Sequence, residues 1–246
     1  MVDDLPGTMT ADVVVVGAGP AGASTAYHLA SLGIDVLVLE KAQFPRDKIC
    51  GDGLTPAAVH ELILMGMDTS EWTRNRGLTV IGGGHAMTLG WPDQKSLPGY
   101  GMTRARTQLD HELITRARQA GARLIEGATV TGAIQDATGR VLGVNARIGR
   151  GDKAHEFSVH AKLVADCGGV AARLATSLGL EKKHNRPMGV AARAYFHSPR
   201  GEEEFMETHL ELWNGEPGKS ELLPGYGWIF PMGGGIVNVG LGSVSS

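Results

Sequence analysis

The sequence is poor in cysteine, in aromatic residues and in long apolar runs, and it has no excess of positive charge. Its two cysteines, Cys50 and Cys167, are too few for a disulfide framework and favour a reducing, cytoplasmic setting. No stretch approaches the roughly 20 apolar residues that a membrane-spanning helix needs. A formal net charge of -3 argues against nucleic acid as a partner, because phosphate binding favours a basic face. The acidic N-terminus lacks the basic and then apolar order of a secretory signal.

Glycine, by contrast, is abundant, and the 36 glycines cluster in short runs between apolar segments. They follow no fixed period, which excludes a collagen-like chain. Short glycine runs are typical of turns and of places where the backbone comes close to a ligand. The 246 residues allow one large domain or two smaller interleaved ones.

The first forty residues predict a βαβ unit. Residues 12–16 are a short β-branched run that suits a buried parallel strand. Pro20 follows at a place where the first turn of a helix accepts proline, and residues 21–32 are alanine-rich and helical. A second strand covers residues 36–39 and ends at Glu40.

Beyond Glu40 the alternation of strand and helix stops. Residues 41–56 form a loop rich in glycine, proline and charge, and three further helices are expected at 57–65, 107–120 and 170–178. The remaining expected elements are short strands at 79–81, 86–89, 123–126, 129–134, 141–147, 157–164, 190–196, 208–212, 228–230 and 236–241. This order predicts a nucleotide-binding α/β domain interleaved with a mostly antiparallel sheet.

A G-x-G-x-x-G motif lies between the first strand and the first helix. It reads Gly17-Ala18-Gly19-Pro20-Ala21-Gly22. Gly17 permits a tight turn, Gly19 lets the backbone approach a diphosphate, and Gly22 lets the helix pack closely on the strand. The start of the helix then faces the phosphates with unpaired N–H groups and a partial positive charge. The alternative is a tight strand–helix turn without a ligand.

Glu40 completes this motif, because an acid at the end of the second strand accepts hydrogen bonds from a ribose. Its negative charge disfavours the extra phosphate of NADP, which leaves FAD or NAD. An NAD domain would continue with further strand–helix pairs into a six-stranded sheet. A polar loop and antiparallel strands follow instead, so FAD is the preferred cofactor.

Three segments of the chain resemble the geranylgeranyl reductase family of flavoproteins, which has the p-hydroxybenzoate hydroxylase fold. They are the glycine motif, residues 44–53 with Cys50-Gly51-Asp52-Gly53, and Tyr226-Gly227-Trp228-Ile229-Phe230-Pro231. The likeness is strongest to actinobacterial members that saturate part of the isoprenoid chain of menaquinone. The resemblance implies an α/β fold with a Rossmann-like FAD-binding domain at 1–78 and 101–182. A mostly antiparallel substrate-domain sheet would cover 79–100 and 183–246.

Members of this fold continue to a Gly-Asp motif, and no such motif follows Gly242. We therefore expect the chain to be an amino-terminal portion of the enzyme, with both domains incomplete. Such a portion would bind FAD weakly by itself and would need a second polypeptide to complete the fold.

The aromatic segment carries the most specific part of the resemblance. The family pattern is Y-x-W-x-F-P, then eight residues, then G-x-G, and here residues 232–239 fill the eight places before Gly240-Leu241-Gly242. By resemblance, Tyr226, Trp228 and Phe230 line the tunnel where an isoprenoid lies beside the flavin. Aromatic walls suit a long hydrocarbon. The alternative is an aromatic strand in a sheet core, because these three positions share one face of a strand.

The resemblance also assigns residues near the flavin ring. Gly51 and Gly53 would let the backbone approach the ring, and Asp52 would belong to the same loop. Cys50 and Tyr226 are the candidate catalytic residues, because thiols and phenols have reference pKa values of about 8.5 and about 10 and hold a proton at neutral pH. For Cys50 the alternative is a small packing residue.

Five further residues are expected to contact the cofactor: Lys41, Arg46, Arg106, Val130 and Asp166. Arg106 resembles the arginine of an R-x-x-F-D-x-x-L element that approaches the diphosphate, with a surface position at a helix start as the alternative. For Arg46 the alternative is a solvated loop charge. Asp166 precedes Cys167 where the fold has glycine, and Val170 lies where it has serine; cysteine adopts positive φ less readily than glycine. We assign no metal site.

These features together predict an FAD-dependent oxidoreductase that reduces a carbon–carbon double bond of an isoprenoid chain, of either a geranylgeranyl group or a menaquinone. An external donor, NAD(P)H or a ferredoxin, would reduce the flavin. The lipid substrate implies peripheral contact with the inner face of the cell membrane. The alternatives are an FAD-dependent monooxygenase or halogenase of the same fold, and an inactive fragment or subunit. A halogenase would prefer W-x-W-x-I-P where this chain begins with Tyr226.

Overall fold

The computed structural model describes residues 6–180 and 187–245, in which the chain forms four α-helices and seventeen strands. The helices are α1 Pro20–Ser31, α2 Pro56–Leu64, α3 Arg106–Gln119 and α4 Arg173–Ser177. The first nine strands are β1 Thr8–Val16, β2 Val36–Glu40, β3 Gly53–Leu54, β4 Thr73–Asn75, β5 Gly77–Gly82, β6 His85–Gly90, β7 Gly101–Thr103, β8 Arg123–Glu126 and β9 Ala128–Gln135. The others are β10 Val141–Ile148, β11 His155–Asp166, β12 Met188–His197, β13 Phe205–His209, β14 Leu212–Trp213, β15 Leu222–Leu223, β16 Gly225–Gly233 and β17 Ile236–Ser245.

The described chain divides into two compact units that alternate along the sequence. The first unit contains residues 6–46 and 107–180, and the second contains residues 47–106 and 187–245. The domain boundaries expected from the sequence, at residues 78, 100 and 182, stay a prediction, and the last of them lies outside the described residues.

A six-stranded sheet forms the first unit, in the order β8-β2-β1-β11-β10-β9. β1 pairs in parallel with β2 and β11, while β10 pairs antiparallel with β9 and β11. All five residues of β2 are buried, as expected for a parallel strand covered on both faces. Val14, Leu37, Val144 and Val159 belong to the core of this unit.

The predicted βαβ unit is present. α1 begins at Pro20 and buries its small residues Gly22, Ala23, Ala26 and Ala30, which lets the helix lie close to the sheet. The helix expected at residues 170–178 is shorter than predicted. A 3-10 turn covers Gly169–Ala171, and α4 starts only at Arg173. Ala172, the residue before α4, has a φ of 3° and a ψ of 56°, so a regular right-handed helix cannot run through it.

The second unit contains a six-stranded sheet in the order β12-β17-β16-β13-β5-β6, in which only β13 and β5 pair in parallel. The β5–β6 hairpin turns at Gly83-Gly84, and both glycines have positive φ, as a tight hairpin turn requires. The strand expected at 208–212 covers Phe205–His209 instead, so that prediction was shifted by three residues.

Smaller strands of the second unit escaped prediction. β3, β4 and β7 form a three-stranded sheet, and β3 lies inside the stretch that was expected to be loop. These strands have two or three residues, too few to show an alternating pattern. The α/β fold class with a mostly antiparallel second sheet is nevertheless confirmed. No helix among the described residues is long and apolar enough to span a bilayer.

Candidate functional site

The turn between β1 and α1, residues 17–22, is called the phosphate turn below. Gly17 has a φ of 94° and donates its N–H to the carbonyl of Leu39 at 2.8 Å. A Cβ atom on Gly22 would lie 1.8 Å from the carbonyl oxygen of Gly17, so a side chain there would push the helix off the turn. A Cβ atom on Gly17 would lie 2.7 Å from the carbonyl oxygen of Cys167. Both glycines therefore serve close packing of backbone on backbone.

Gly19 has a different environment. It is the N-cap residue of α1, and no side chain caps the helix there. The nearest atom to a Cβ on Gly19 would be Arg46 Nη2, at 3.7 Å. The first turn of a helix has N–H groups without intrahelical partners and a partial positive charge. Open space beside such a turn fits a diphosphate group.

Glu40 is 4% exposed and lies at the phosphate turn, as the sequence predicts. Its Oε2 accepts the N–H of Ala18 at 2.7 Å, and its Oε1 accepts the N–H of Ala42 at 3.0 Å. A carboxylate has about four acceptor positions, so two remain for a ribose. Contact with a ribose stays a prediction, and the neighbouring Lys41 is exposed.

Arg46 is not a solvated loop charge. Its side chain is 17% exposed, and Nη1 lies 2.8 Å from Oδ2 of Asp110, whose side chain is fully buried. Nη2 lies 3.7 Å from Oε2 of Glu40, and the guanidinium stands 5.1 Å from the ring centroid of Phe44. These contacts hold a cation at the mouth of the phosphate turn. The sequence reading missed the role of Asp110, although it lies in the element that includes Arg106.

Asp166 ends β11 and bonds to the chain that follows it. Its Oδ1 accepts the N–H of Gly168 and its Oδ2 accepts the N–H of Ala175, both at 2.9 Å. The penalty expected for cysteine at position 167 does not arise, because Cys167 does not adopt positive φ. Burial raises the pKa of the Cys167 thiol. Direct contact of Asp166 with the cofactor stays a prediction.

Val130 lies on β9 and lines a shallow pocket of about 250 Å³. The other lining residues are Thr129, Thr131, Arg147, Arg173 and Leu174. The pocket belongs wholly to the first unit. A cofactor contact of Val130 also stays a prediction.

In the second unit, Tyr226, Trp228 and Phe230 lie on one face of β16. The ring centroids of Tyr226 and Trp228 are 5.8 Å apart, and those of Trp228 and Phe230 are 6.4 Å apart. Tyr226 is 47% exposed, whereas Trp228 is 5% exposed and Phe230 is half-buried. Trp228 is therefore a core residue, and the two rings beside it are more accessible.

The G-x-G pair of the aromatic motif has a geometric reason. In the β16–β17 hairpin, Trp228 pairs with Gly240 and Tyr226 pairs with Gly242. A Cβ atom on Gly240 would lie 2.2 Å from Cζ2 of Trp228, so the indole ring lies directly on the glycine backbone. The spacing of eight residues brings the glycines of one strand under the aromatic rings of the other.

Residues 47–52, the Cys50 loop, lie against the same rings. A Cβ atom on Gly51 would lie 2.9 Å from Cε2 of Phe230, and one on Gly53, the first residue of β3, would lie 3.1 Å from that atom. Glycine at these positions thus permits contact with an aromatic ring. This contact with an aromatic ring does not test the predicted approach of the loop to a flavin, which stays a prediction.

Asp52 is 1% exposed and has a φ of 65°. Its Oδ2 accepts the hydroxyl of Tyr195 at 2.5 Å and the Nδ2 amide of Asn238 at 2.8 Å. Burial raises the pKa of the Asp52 carboxyl, and hydrogen bonds from these two side chains oppose that rise. Burial, followed by the bond to Asp52, raises the pKa of Tyr195. Asp52 therefore contacts strands β12 and β17.

Three residues of this region were not predicted from the sequence: Arg193, Tyr195 and Asn238. Arg193 donates to a carboxylate oxygen of Asp47 and lies 4.4 Å from the ring centroid of Tyr195. The only signal for Asn238 was one amide within an apolar strand.

Arg106, predicted to approach a diphosphate, is half-buried and is the first residue of α3. Cys50 is half-buried.

Comparison with known proteins finds relatives over most of the chain. The model of a family described as FAD binding domain matches residues 10–224. Menaquinone reductase of Mycobacterium tuberculosis is 40% identical over 239 residues, which is 96% of this chain and 56% of that protein. Digeranylgeranylglycerophospholipid reductase 2 of Methanopyrus kandleri is 34% identical over 240 residues, 95% of this chain and 55% of that protein.

Among solved structures, a geranylgeranyl bacteriochlorophyll reductase-like protein from Thermoplasma acidophilum matches with a TM-score of 0.79. It is 25% identical, and the match covers 96% of this chain and 57% of that one. The chain spans about half the length of the curated relatives that it matches.

The predicted resemblance to the geranylgeranyl reductases and the predicted cofactor, FAD, are both confirmed by these relatives and by the family match. The match to the family model extends over most of the chain and includes the phosphate turn, Glu40 and the Cys50 loop. The chain therefore belongs to the FAD binding domain family.

Proposed function

We propose that this chain is part of an FAD-dependent oxidoreductase that reduces a carbon–carbon double bond in an isoprenoid chain, of a menaquinone or of a geranylgeranyl lipid. The observation that carries the proposal is the aromatic face of β16, against which Gly51 of the Cys50 loop and Gly53 of β3 pack. Relatives named menaquinone reductase and digeranylgeranylglycerophospholipid reductase support the choice of substrate.

The phosphate turn would hold the diphosphate of FAD. The open side of Gly19 and the uncapped start of α1 offer backbone N–H groups, and Arg46 adds a fixed positive charge. Glu40 would bind the ribose with its remaining acceptor positions. Lys41, Arg106, Val130 and Asp166 are the further proposed contacts. When bound and reduced by an external donor, NAD(P)H or a ferredoxin, FAD would supply the hydride for the double bond.

The aromatic face would hold the isoprenoid. Tyr226 and Phe230 offer apolar ring surface, and the buried Trp228 supports both. Reduction also requires a proton at the second carbon, and the Cys50 thiol or the Tyr226 hydroxyl would supply it. The protein's own contribution is then to position the lipid and to hold that proton.

An anaerobic turnover assay tests the proposal. The purified protein, made up of this chain and the further residues proposed to complete it, is mixed with FAD, dithionite and detergent-solubilised menaquinone or geranylgeranyl lipid, and the products are analysed by mass spectrometry. We expect products with two added hydrogens per reduced bond. Products that carry an added oxygen or halogen would instead favour the monooxygenase or halogenase alternative, and FAD binding without any reduction would contradict the proposal.

Two variants then identify the proton donor. Replacement of the donor, as Cys50→Ser or Tyr226→Phe, should lower kcat by about 100-fold or more, the usual contribution of a positioned acid. Tyr100→Phe is the matched control, since Tyr100 contacts Arg74 outside the aromatic face. If neither variant lowers kcat, the donor lies elsewhere.

The lipid substrate also leads us to propose a cytoplasmic enzyme in peripheral contact with the inner face of the cell membrane. Sedimentation with phospholipid vesicles tests this contact. The matched region is 56% of the length of one relative, so we propose that full activity uses residues beyond it, in the same polypeptide or in a second one.

A further inference from the structure

Asn238 is fully buried on β17, within the eight-residue spacer of the aromatic motif. Its Oδ1 accepts the indole N–H of Trp228 at 2.9 Å. Its Nδ2 donates to the carbonyl oxygen of Cys50 at 3.0 Å and to Oδ2 of Asp52 at 2.8 Å. One side-chain amide thus joins the aromatic strand to the Cys50 loop.

These partners leave one orientation for the amide. An indole N–H can only donate, whereas a backbone carbonyl and a carboxylate oxygen accept. A reversed amide would set its NH₂ group against the N–H of Trp228 and its oxygen against two acceptors. The three contacts of Asn238 are therefore chemically matched, and each would be lost in the reversed form.

The Cys50 loop needs such a tether. Residues 41–52 are described throughout and belong to no helix or strand, although the carbonyl of Asp52 accepts the N–H of Arg104 at 3.1 Å. Asp52 has positive φ, a conformation that an L-residue keeps only when its surroundings enforce it. Tyr195 of β12 donates to the same carboxylate oxygen as Asn238, which adds a second strand to the tether.

We propose that Asn238 is a positioning residue of the substrate site, which sets the main chain of Cys50 against the aromatic strand through its two amide hydrogens. The role of Asn238 in catalysis rests on the function proposed above, whereas its effect on the position of Cys50 is independent of that function. Loss of the amide would leave the indole N–H, the Cys50 carbonyl and the Asp52 carboxyl without that partner. Buried groups left in this way are costly, so the loop would leave the strand to reach water.

Alkylation of Cys50 measures this directly. The purified chain with saturating FAD is treated with iodoacetamide, and the peptides of Cys50 and Cys167 are quantified by mass spectrometry over time. Asn238→Ala should raise the rate at Cys50 by about tenfold, as expected when a buried hydrogen bond to the loop is lost. Cys167 lies in the first unit and should keep its rate, which reports that this unit is intact, while an unchanged denaturant midpoint by tryptophan fluorescence reports on the second unit, which holds all four tryptophans.

Asn75→Ala is the matched control. Asn75 is 2% exposed in the same unit and also accepts an indole N–H, from Trp91 at 2.8 Å. It should leave the rate at Cys50 unchanged. The proposal is overturned if Asn238→Ala leaves Cys50 at its original rate, or if Asn75→Ala raises that rate equally.

Asn238→Asp keeps the size of the side chain and serves as the second variant. The new carboxylate oxygen would face Oδ2 of Asp52 and repel it. Asn238→Asp should therefore also raise the alkylation rate of Cys50 and leave that of Cys167 unchanged. If both variants expose Cys50 and Cys167 together, Asn238 only stabilises the fold and the proposal fails.

In the turnover assay, Asn238→Ala should lower kcat more than it raises KM. A wild-type protein, complete with the further residues, that binds FAD and reduces no isoprenoid would overturn the proposed function and leave the alkylation result standing.

Discussion

The phosphate turn of the first unit contains three glycines and the Cys50 loop of the second contains one, and the two segments are held in different ways. In the phosphate turn, Gly17 and Gly22 let backbone pack on backbone. The Cys50 loop is held through the buried carboxyl of Asp52, which accepts hydrogen bonds from Tyr195 and Asn238 on two distant strands. The first region should therefore fail when a methyl group is added, and the second when a polar group is removed.

Gly22→Ala should have the largest effect. The new Cβ would lie 1.8 Å from the carbonyl oxygen of Gly17, a backbone atom that cannot rotate away. We expect a loss of more than about 3 kcal/mol in the free energy of unfolding, together with loss of FAD binding. Denaturant unfolding and FAD titration measure the two effects.

Two glycines serve as controls for Gly22. Gly132→Ala on β9 meets no atom within 4 Å and should be neutral. Gly19→Ala should keep the stability and weaken FAD binding, because its Cβ would enter the space assigned to the diphosphate. A Gly22→Ala chain as stable as wild type would show that the close helix–strand contact is dispensable.

Arg46→Ala should come next, with a loss of about 3 kcal/mol in unfolding free energy. The substitution removes the guanidinium that lies 2.8 Å from the buried carboxylate of Asp110, and that charge becomes costly to keep buried. Arg76→Ala breaks an exposed ion pair with Glu204 and should cost less than about 1 kcal/mol. Equal losses in urea unfolding of the two variants would contradict the structural role of Arg46.

Gly240→Ala tests whether added bulk also disturbs the second unit. The new Cβ would lie 2.2 Å from Cζ2 of Trp228, and the ring would have to move, at a cost of about 2 kcal/mol. Gly227→Ala is the control, since its nearest atom lies 3.6 Å away. Unfolding curves and tryptophan fluorescence should both change for Gly240→Ala alone.

Asp52→Asn should have the smallest effect, visible as a change in pH dependence. Burial raises the pKa of Asp52 above its value in the unfolded chain, so the folded chain binds that proton more tightly. The free energy of unfolding then falls as pH rises from about 4 towards the raised pKa, by at most about 1.4 kcal/mol per pH unit. The free energy of unfolding of Asp52→Asn lacks this fall, so the stability of the variant relative to wild type should increase over that pH range.

Asp68→Asn is the control of opposite sign. Hydrogen bonds from Ser70 lower the pKa of the exposed Asp68 carboxyl, so that carboxyl stabilises the fold above its unfolded pKa and the benefit is lost as pH falls. Urea unfolding over a pH series compares the two variants with wild type. A pH profile of Asp52→Asn identical to that of wild type would show that the buried carboxyl does not titrate in this range.

The two regions also differ in how far they could be predicted. Six consecutive residues and one acid at the end of a strand sufficed to predict the phosphate turn, because most of its contacts are made by the backbone within the βαβ unit. The aromatic strand was predicted from its spacing, yet Trp228 is buried whereas Tyr226 is exposed. Alternation assigns residues to a face of a strand, but coverage of that face depends on distant segments.

The sequence alone determined the βαβ unit and the preference for FAD, since each follows from neighbouring residues and from the order of the elements along the chain. Only the tertiary structure decided that Arg46 pairs with Asp110, and that Asn238 holds the Cys50 loop. The second contact joins residues 188 positions apart, and a hydrogen bond depends on atoms within about 3 Å in space. The order of residues along the chain does not indicate which distant residues come this close, so this contact is known only from the folded structure.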